Sequence, residues 1–300
     1  MLTSPHSSDP RPAAPTSVAA ALRGAVDRLA AAGVSDAVVD AELLAAHVLG
    51  VGRGQVQAAA IRGDVLDGDR GAHYGELVAR RASREPLQHL IGTAPFRHLE
   101  LRVGPGVFVP RPETEIVAQF AIDALSAAAS PEPIAVDLGT GSGAIALAMA
   151  TEVPYARVFA AENSVDAFVW TKENFGAVGA DNAQLAFIDL AQAFPELDGT
   201  VSVVVSNPPY VPDAAIPRDP EVRLFDPPAA LYGGTDGLDV VRTLSTVGLR
   251  LAHPGGVIVL EHGEWQGPAI RDILTDDGWR AASTHPDLTM RDRVTTAVRP

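Results

Sequence analysis

From Ile134 onward, short apolar runs alternate with stretches of helical period, and few folds accept that alternation. Ile134–Leu138, Arg157–Glu162, Ala183–Asp189, Val201–Ser206 and Gly256–His262 read as strands. Ser142–Thr151, Val165–Phe175, Gly237–Leu251 and Trp265–Asp276 read as the helices between them. Near-continuous apolar strands joined by helical crossovers predict a parallel sheet covered on both faces, a doubly wound α/β architecture. Trp279–Thr284 and Arg293–Val298 would complete the sheet. In such a sheet ligands sit at the carboxyl ends of the strands.

The chain before Pro86 has a different period. Ser17 can cap a run carrying Val18, Leu22, Val26 and Leu29, which stops at Gly33. Ser35 or Asp36 can cap a second run through Val39, Leu43, Leu44 and Val48, stopped by Gly50, and a third surrounds Tyr74, Leu77 and Val78. These predict a small helical bundle with no ionisable constellation of its own. Gly92, Pro95, Gly104 and Gly106 break the stretch Leu87–Val109 into short apolar runs, which suits a β-hairpin connector. Pro110 and Pro112 then bar helix until about Glu113. The expected organisation is a disordered Pro- and Ser-rich tail at 1–16, a helical domain at 17–86, a connector at 87–112 and the α/β domain at 113–300.

Composition excludes several classes of function. There is no cysteine, so disulfides and thiolate zinc sites are absent. No apolar run approaches the ~18–20 residues that span a bilayer. The first residues lack the apolar core of a secretory signal, and the expectation is a cytoplasmic protein that does not engage membrane. A formal net charge of -14 opposes a nucleic-acid substrate. Against that field, Arg80, Arg81, Arg84, Arg97, Arg102 and Arg111 fall close together in sequence. They read either as a solvated face or as a strip that docks a substrate.

Asp137-Leu138-Gly139-Thr140-Gly141-Ser142-Gly143 ends the first strand and opens a helix. Glycines there permit a tight turn and let a ligand approach the backbone, while free N–H groups favour an anion. The spacing is neither that of dinucleotide binders nor that of a P-loop. Glu162, ending the second strand, can take both hydroxyls of a ribose; the alternative is an acid that caps the next helix. Asp189, followed by Leu190, stands where an adenine amino group could be bound, or is a surface acid. Asn207-Pro208-Pro209-Tyr210 follows the fourth strand. The Asn207 side-chain oxygen and the Pro208 carbonyl offer two acceptors to one planar NH₂ group, and Tyr210 can lie against its plane.

Asn207–Tyr210 behind the Gly139–Gly143 loop resembles class I methyltransferases that act on planar nitrogens. Further segments resemble the HemK/PrmC-type release-factor glutamine methyltransferases: Arg84–Gln88, Gly92, Phe96, Val109–Glu115, Ala230–Gly234, Asp236–Leu238 and Leu260–Gly263. The resemblance runs from about Ser17 to Pro300. Glu162 stands where many relatives carry Asp, and Asp226-Pro227 where Glu-Pro is commoner; no role is assigned to the latter pair.

The resemblance implies a class I (Rossmann-like) α/β sheet with an N-terminal helical domain. It implies S-adenosyl-L-methionine as donor and S-adenosyl-L-homocysteine as product. The implied partners are peptide chain release factors, methylated on the glutamine of their Gly-Gly-Gln motif. Asp137, Gly139, Thr140, Gly141, Ser142, Gly143, Glu162, Asp189, Leu190 and Asn207 are the candidate cofactor residues. Phe108, Pro110, Arg111, Asn207, Pro208, Pro209 and Tyr210 are the candidate substrate residues, and Asn207, Pro208 and Tyr210 the catalytic ones. No metal is expected. Phe108 reads equally as a residue flanking the glutamine amide or as connector core. A sister group modifies a ribosomal-protein glutamine, and DNA adenine methyltransferases use a related loop but need a basic cleft for a flipped base. A non-enzymatic binding module is the remaining alternative, and the intact motifs oppose it.

Overall fold

Ser17, Asp67 and Ser164 each precede a helix and accept a hydrogen bond from a backbone N–H of its first turn, so helix starts are written locally in this chain. The computed structural model describes residues 15–300. It divides into two compact units at the junction of Ile91 and Gly92.

The first unit contains β1 (Thr16–Ser17), α1 (Val18–Ala31), α2 (Ala37–Leu49), α3 (Arg53–Arg62), β2 (Val65–Leu66), α4 (Gly68–Ala82) and α5 (Leu87–Ile91). Its core gathers Leu29, Leu44, Val56, Leu66, Tyr74 and Leu77. Most of the tail expected at 1–16 lies outside the described residues, but Thr16 pairs with Leu66 in the β1–β2 ladder. α3 falls inside the stretch expected to be helical but outside its three marked runs, and α5 was not expected. α3 buries only Val56 and Ala59, too few apolar positions to show a period. α5 replaces the first turn of the expected connector because Leu87 and Leu90, three apart, both enter the helical core. The bundle also holds an ionic constellation that was not expected. Arg81 and Asp40, both buried, pair at 2.7 Å from helices whose sequence separation hides the match.

The second unit opens with the hairpin β3 (Thr93–Phe96) and β4 (Leu99–Arg102), then α6 (Thr114–Ala127), β5 (Ile134–Leu138), α7 (Ala144–Glu152), β6 (Arg157–Glu162) and α8 (Val165–Val178). It continues with β7 (Ala183–Phe187), β8 (Val201–Ser206), α9 (Pro220–Phe225), α10 (Pro228–Leu231), α11 (Asp239–Leu251), β9 (Ala252–Glu261), α12 (Gly267–Asp277), β10 (Arg280–Pro286) and β11 (Asp292–Val298). The seven-stranded sheet has the order β10-β11-β9-β8-β5-β6-β7. Pairs from β9 to β7 are parallel, and β11 and β10 add antiparallel. One core packs α6 and α7 on one face, and another packs α11 and α12 on the other. The chain leaves β5 in one direction, through β6 and β7, and crosses back to β8. The carboxyl ends of β5 and β8 therefore flank the reversal of strand order, where such sheets bind ligands.

Candidate active site

The loop after β5 turns through three left-handed glycines, Gly139, Gly141 and Gly143, with φ of 75°, 58° and 86°. Its shape is held from below. The N–H groups of Gly139 and Thr140 donate to the Ala161 carbonyl at 2.9 and 3.0 Å. A Cβ added at Gly139 or Gly141 would meet nothing within 4 Å, so the missing side chains leave open space beside the backbone. Gly143 serves packing instead: a Cβ there would press on Phe175 at 3.0 Å.

A cavity of about 650 Å³ lies at this end of the sheet. Its walls include Asp137, Gly139, Thr140, Gly141, Ser142, Glu162, Asp189 and Leu190, together with Asn207, Pro209, Tyr210, Phe108, Pro110 and Arg111. Of the expected site residues, Gly143 and the buried Pro208 do not form its wall.

Glu162 is buried, and its carboxylate accepts from the N–H groups of Gly141 (2.8 Å), Asn163 (3.0 Å) and Ser164 (2.8 Å). The cap of α8 falls to Ser164, so capping is not the work of Glu162. Asp189 lies past the end of β7, which stops at Phe187, two residues earlier than expected. It caps a short 3₁₀ turn and accepts from the Asn163 amide at 2.9 Å. Asp137 is buried. Thr140 and the Ala146 N–H bond one of its oxygens at 2.6 and 3.1 Å, while the other, Oδ1, has no partner. Burial lifts its pKa to about 7.

The Asn207–Tyr210 segment is held by Gln266, which nothing in the sequence singled out, and by the 230–234 and 236–238 segments, quoted above without a task. Gln266 Nε2 donates to the Tyr210 carbonyl at 2.9 Å, and Gln266 Oε1 accepts from Gly263 N at 2.9 Å. Val211 N donates to the Leu231 carbonyl at 2.7 Å and Gly233 N to the Val211 carbonyl at 2.9 Å. A Cβ at Gly233 would stand 2.4 Å from the Pro209 carbonyl oxygen, and one at Gly237 2.3 Å from that of Tyr210. The Tyr-Gly-Gly and Asp-Gly-Leu segments thus form a seat that only backbone can occupy. Asn207 Nδ2 donates to Thr114 Oγ1 at 3.3 Å, at the first turn of α6. Burial raises the Tyr210 phenol above its ordinary pKa and keeps it protonated.

Phe108 is half-buried on the cavity wall, while Val103, Val107 and Val109 form the connector core with Ala167. The Arg111 guanidinium lies 5.0 Å from the centre of the Phe108 ring and pairs with buried Asp226 at 2.7 Å. Asp226, left without a role above, therefore anchors Arg111. Each arginine of the strip has an intramolecular partner, and Arg80 and Arg102 remain exposed. Arg80 pairs with Glu85, Arg81 with Asp40, Arg97 with Glu152, Arg102 with Glu173 and Arg111 with Asp226. Arg84 donates to the Gly33 carbonyl at 2.7 Å. Most of those acids are distant in sequence, which is why their neutralising effect was not legible there.

The residues fit a sulfonium amino-acid nucleoside. An unpartnered buried carboxyl oxygen suits an ammonium, and open space beside two left-handed glycines suits a ligand against the backbone. A model of the PrmC N-terminal domain matches residues 20–92, and one of the methyltransferase small domain matches 98–227. A release factor glutamine methyltransferase of Streptomyces coelicolor is 51% identical over 91% of this chain and 95% of its own length. A 4-amino-L-phenylalanine/4-methylamino-L-phenylalanine methyltransferase of Streptomyces pristinaespiralis is 40% identical over 96% of each chain. Among solved structures, a T. thermophilus 16S rRNA methyltransferase in complex with AdoMet and guanosine shares the fold, with a TM-score of 0.51 and 20% identity over 69% of this chain and 50% of that one. With both segment models matched and a relative at 51% identity over nearly its whole length, this chain belongs to the release factor glutamine methyltransferase family.

Proposed function

We propose that this chain methylates the side-chain amide nitrogen of the glutamine in the Gly-Gly-Gln motif of peptide chain release factors. The observation that carries the reading is one cavity walled both by the Gly139–Gly141 turn and by Asn207, Pro209 and Tyr210. Asp137, Gly139, Thr140, Gly141, Ser142 and Glu162 hold the cofactor, with Asp189 and Leu190 beside its base. Bound there, S-adenosyl-L-methionine supplies an electrophilic methyl group and leaves as S-adenosyl-L-homocysteine. Asp137 Oδ1 receives the ammonium, and Glu162 retains lone pairs for the ribose hydroxyls.

An amide nitrogen is a weak nucleophile because its lone pair is shared with the carbonyl. Asn207 Oδ1 and the Pro208 carbonyl accept both amide hydrogens, which keeps electron density on nitrogen and fixes its direction. Tyr210 and Phe108 flank the amide plane. Once nitrogen carries the methyl group it is cationic and loses one proton to water, so no strong base is required. Alignment of two bound reactants supplies most of the acceleration, worth up to ~7–11 kcal/mol.

The domain before Gly92 docks the protein substrate, and the enzyme works in the cytoplasm alongside translation. No helix among the described residues is long and apolar enough to cross a membrane. The Streptomyces pristinaespiralis relative supports a second reading, because an aryl amine is also a planar NH₂ group that two acceptors can hold. Incubation with labelled cofactor and either release factors or 4-amino-L-phenylalanine, followed by mass spectrometry, separates the two. Label on the Gly-Gly-Gln peptide, reduced ~10²–10³-fold in Asn207→Ala, is the expected result. Label on the amino acid alone sinks the first reading.

A further inference from the structure

Helix α8 supports both halves of the site. It carries the glycine turn: the Thr171 hydroxyl donates to the Gly141 carbonyl, and Asn174 Nδ2 donates to the Ser142 carbonyl at 2.9 Å. It also carries the chain from Arg102 to Val109, which leads from β4 to the wall residues Phe108, Pro110 and Arg111. Trp170 Nε1 donates to the Pro105 carbonyl at 3.1 Å, and the Trp170 ring stands where a side chain on Gly104 would go. Val103, Val107 and Val109 pack with Ala167.

The two supports meet at Asn174. This residue is 1% exposed and forms no part of the cavity wall. Its amide makes three hydrogen bonds, all to backbone. Oδ1 accepts from Arg102 N at 2.7 Å, while Nδ2 donates to the Arg102 carbonyl at 3.0 Å as well as to that of Ser142. The paired bonds to Arg102 fix which way the amide faces, because a half-turn would set oxygen against a carbonyl and NH₂ against an N–H. An acid of the same shape could not donate, and an apolar residue would leave all three backbone groups without this partner. The glycine turn has other holds. Gly139 and Thr140 donate to Ala161, Gly141 N donates to Glu162, and the Gly141 carbonyl keeps Thr171. The Arg102 end of β4 depends on Asn174 for both its N–H and its carbonyl.

We infer that Asn174 is a positioning residue that sets the spacing between the bound cofactor and the amide it methylates, by tying the Ser142 carbonyl of the cofactor turn to the Arg102 end of the substrate wall. It touches neither reactant. The inference rests on the proposed placement of both reactants in the cavity and adds what keeps their supports in register. Transfer needs the methyl carbon and the nitrogen in line, and an error of about an ångström can cost ~10²-fold. The role therefore shows in kcat more than in cofactor affinity.

The test sets Asn174 against Asn182. The Asn182 amide also donates to two carbonyls, those of Ala150 (3.0 Å) and Ala156 (2.9 Å), but it stands just before β7, at the amino end of the strand. In the full chain, Asn174→Ala lowers kcat on a short Gly-Gly-Gln peptide by about tenfold or more, while the cofactor Kd read by calorimetry changes several times less. Asn182→Ala lowers Tm and leaves kcat near that of the parent. If Asn174→Ala does not fold, Asn174→Asp stands in, since it keeps the shape and the acceptor for Arg102 N and loses only the two donations. A kcat no lower than that of Asn182→Ala, or a loss carried entirely by cofactor affinity, overturns the positioning role. A parent enzyme that binds cofactor yet labels no Gly-Gly-Gln peptide overturns the activity reading instead, and the same comparison of variants then runs on 4-amino-L-phenylalanine.

Discussion

Glu162 does two jobs with one carboxylate. It already binds three backbone N–H groups, among them that of Gly141 in the glycine turn, so it shapes the site before any ligand arrives. Glu162→Ala should therefore lower cofactor affinity beyond the loss of ribose contacts, at about 1.5–3 kcal/mol per charged hydrogen bond. It should also lower Tm. Unchanged affinity in calorimetry would contradict the assignment. Asp137 gives a pH signature. Its folded pKa is raised to about 7, so between about pH 4 and 7 the fold keeps a proton that the unfolded chain has released, and stability falls as pH rises through that window. An ammonium placed against Oδ1 favours the charged form, so cofactor binding expels the proton and tightens as pH rises from about 6 to 7.5. Calorimetry in buffers of different ionisation enthalpy reads that proton directly, and Asp137→Asn should abolish it. These residues were legible in sequence because each sits at a strand end within a recognisable motif. The Arg111–Asp226 pair was not legible, since an arginine and a buried acid on distant elements announce no pairing until the fold joins them.

Strands and crossovers were legible because buried parallel strands are continuous apolar runs, and β5, β6 and β8 keep the bounds their sequences predict. Boundaries drifted where polar residues pair: β9 reaches back to Ala252 through His253 and two glycines, which no hydrophobic pattern marks. The least legible element is the seat under Asn207–Tyr210, because its glycines act by lacking atoms. Gly237 has φ of 77° and touches the Tyr210 carbonyl, so Gly237→Ala adds left-handed strain of roughly 1–2 kcal/mol and must also displace the loop. Turnover should fall by more than cofactor affinity does, because the glycine turn after β5 is untouched. Gly255, also left-handed at φ 85° but with open space around its missing side chain, is the control: Ala there should cost stability and spare turnover. Equal kinetic effects at both positions would remove the seat from the mechanism.

At the scale of the whole chain, the question is how an enzyme whose cavity holds one side chain selects one protein. A glutamine and its neighbours bury too little surface, whereas a specific complex usually covers ~1,200–2,000 Å² in total. The arginines once eligible for that surface each have an intramolecular partner and only Arg80 and Arg102 of the six are exposed, so the strip offers little unpaired charge for docking. The helical unit remains. Its described core runs from Val18 to Leu90, and the cores of the second unit draw on none of those residues, so the second unit has the apolar interior to fold without it. Deleting residues through Ile91 should leave cofactor affinity close to that of the full chain. Methylation of an intact release factor should fall by an order of magnitude or more through KM, because association then lacks most of its buried area. Methylation of a short Gly-Gly-Gln peptide, which never used that area, should change little. Calorimetry with the cofactor and parallel kinetics on the two substrates check all three expectations. A folded, cofactor-binding truncation that methylates the whole factor as efficiently as the full chain would place recognition in the second unit, and the search for it would move to the rim of the cavity.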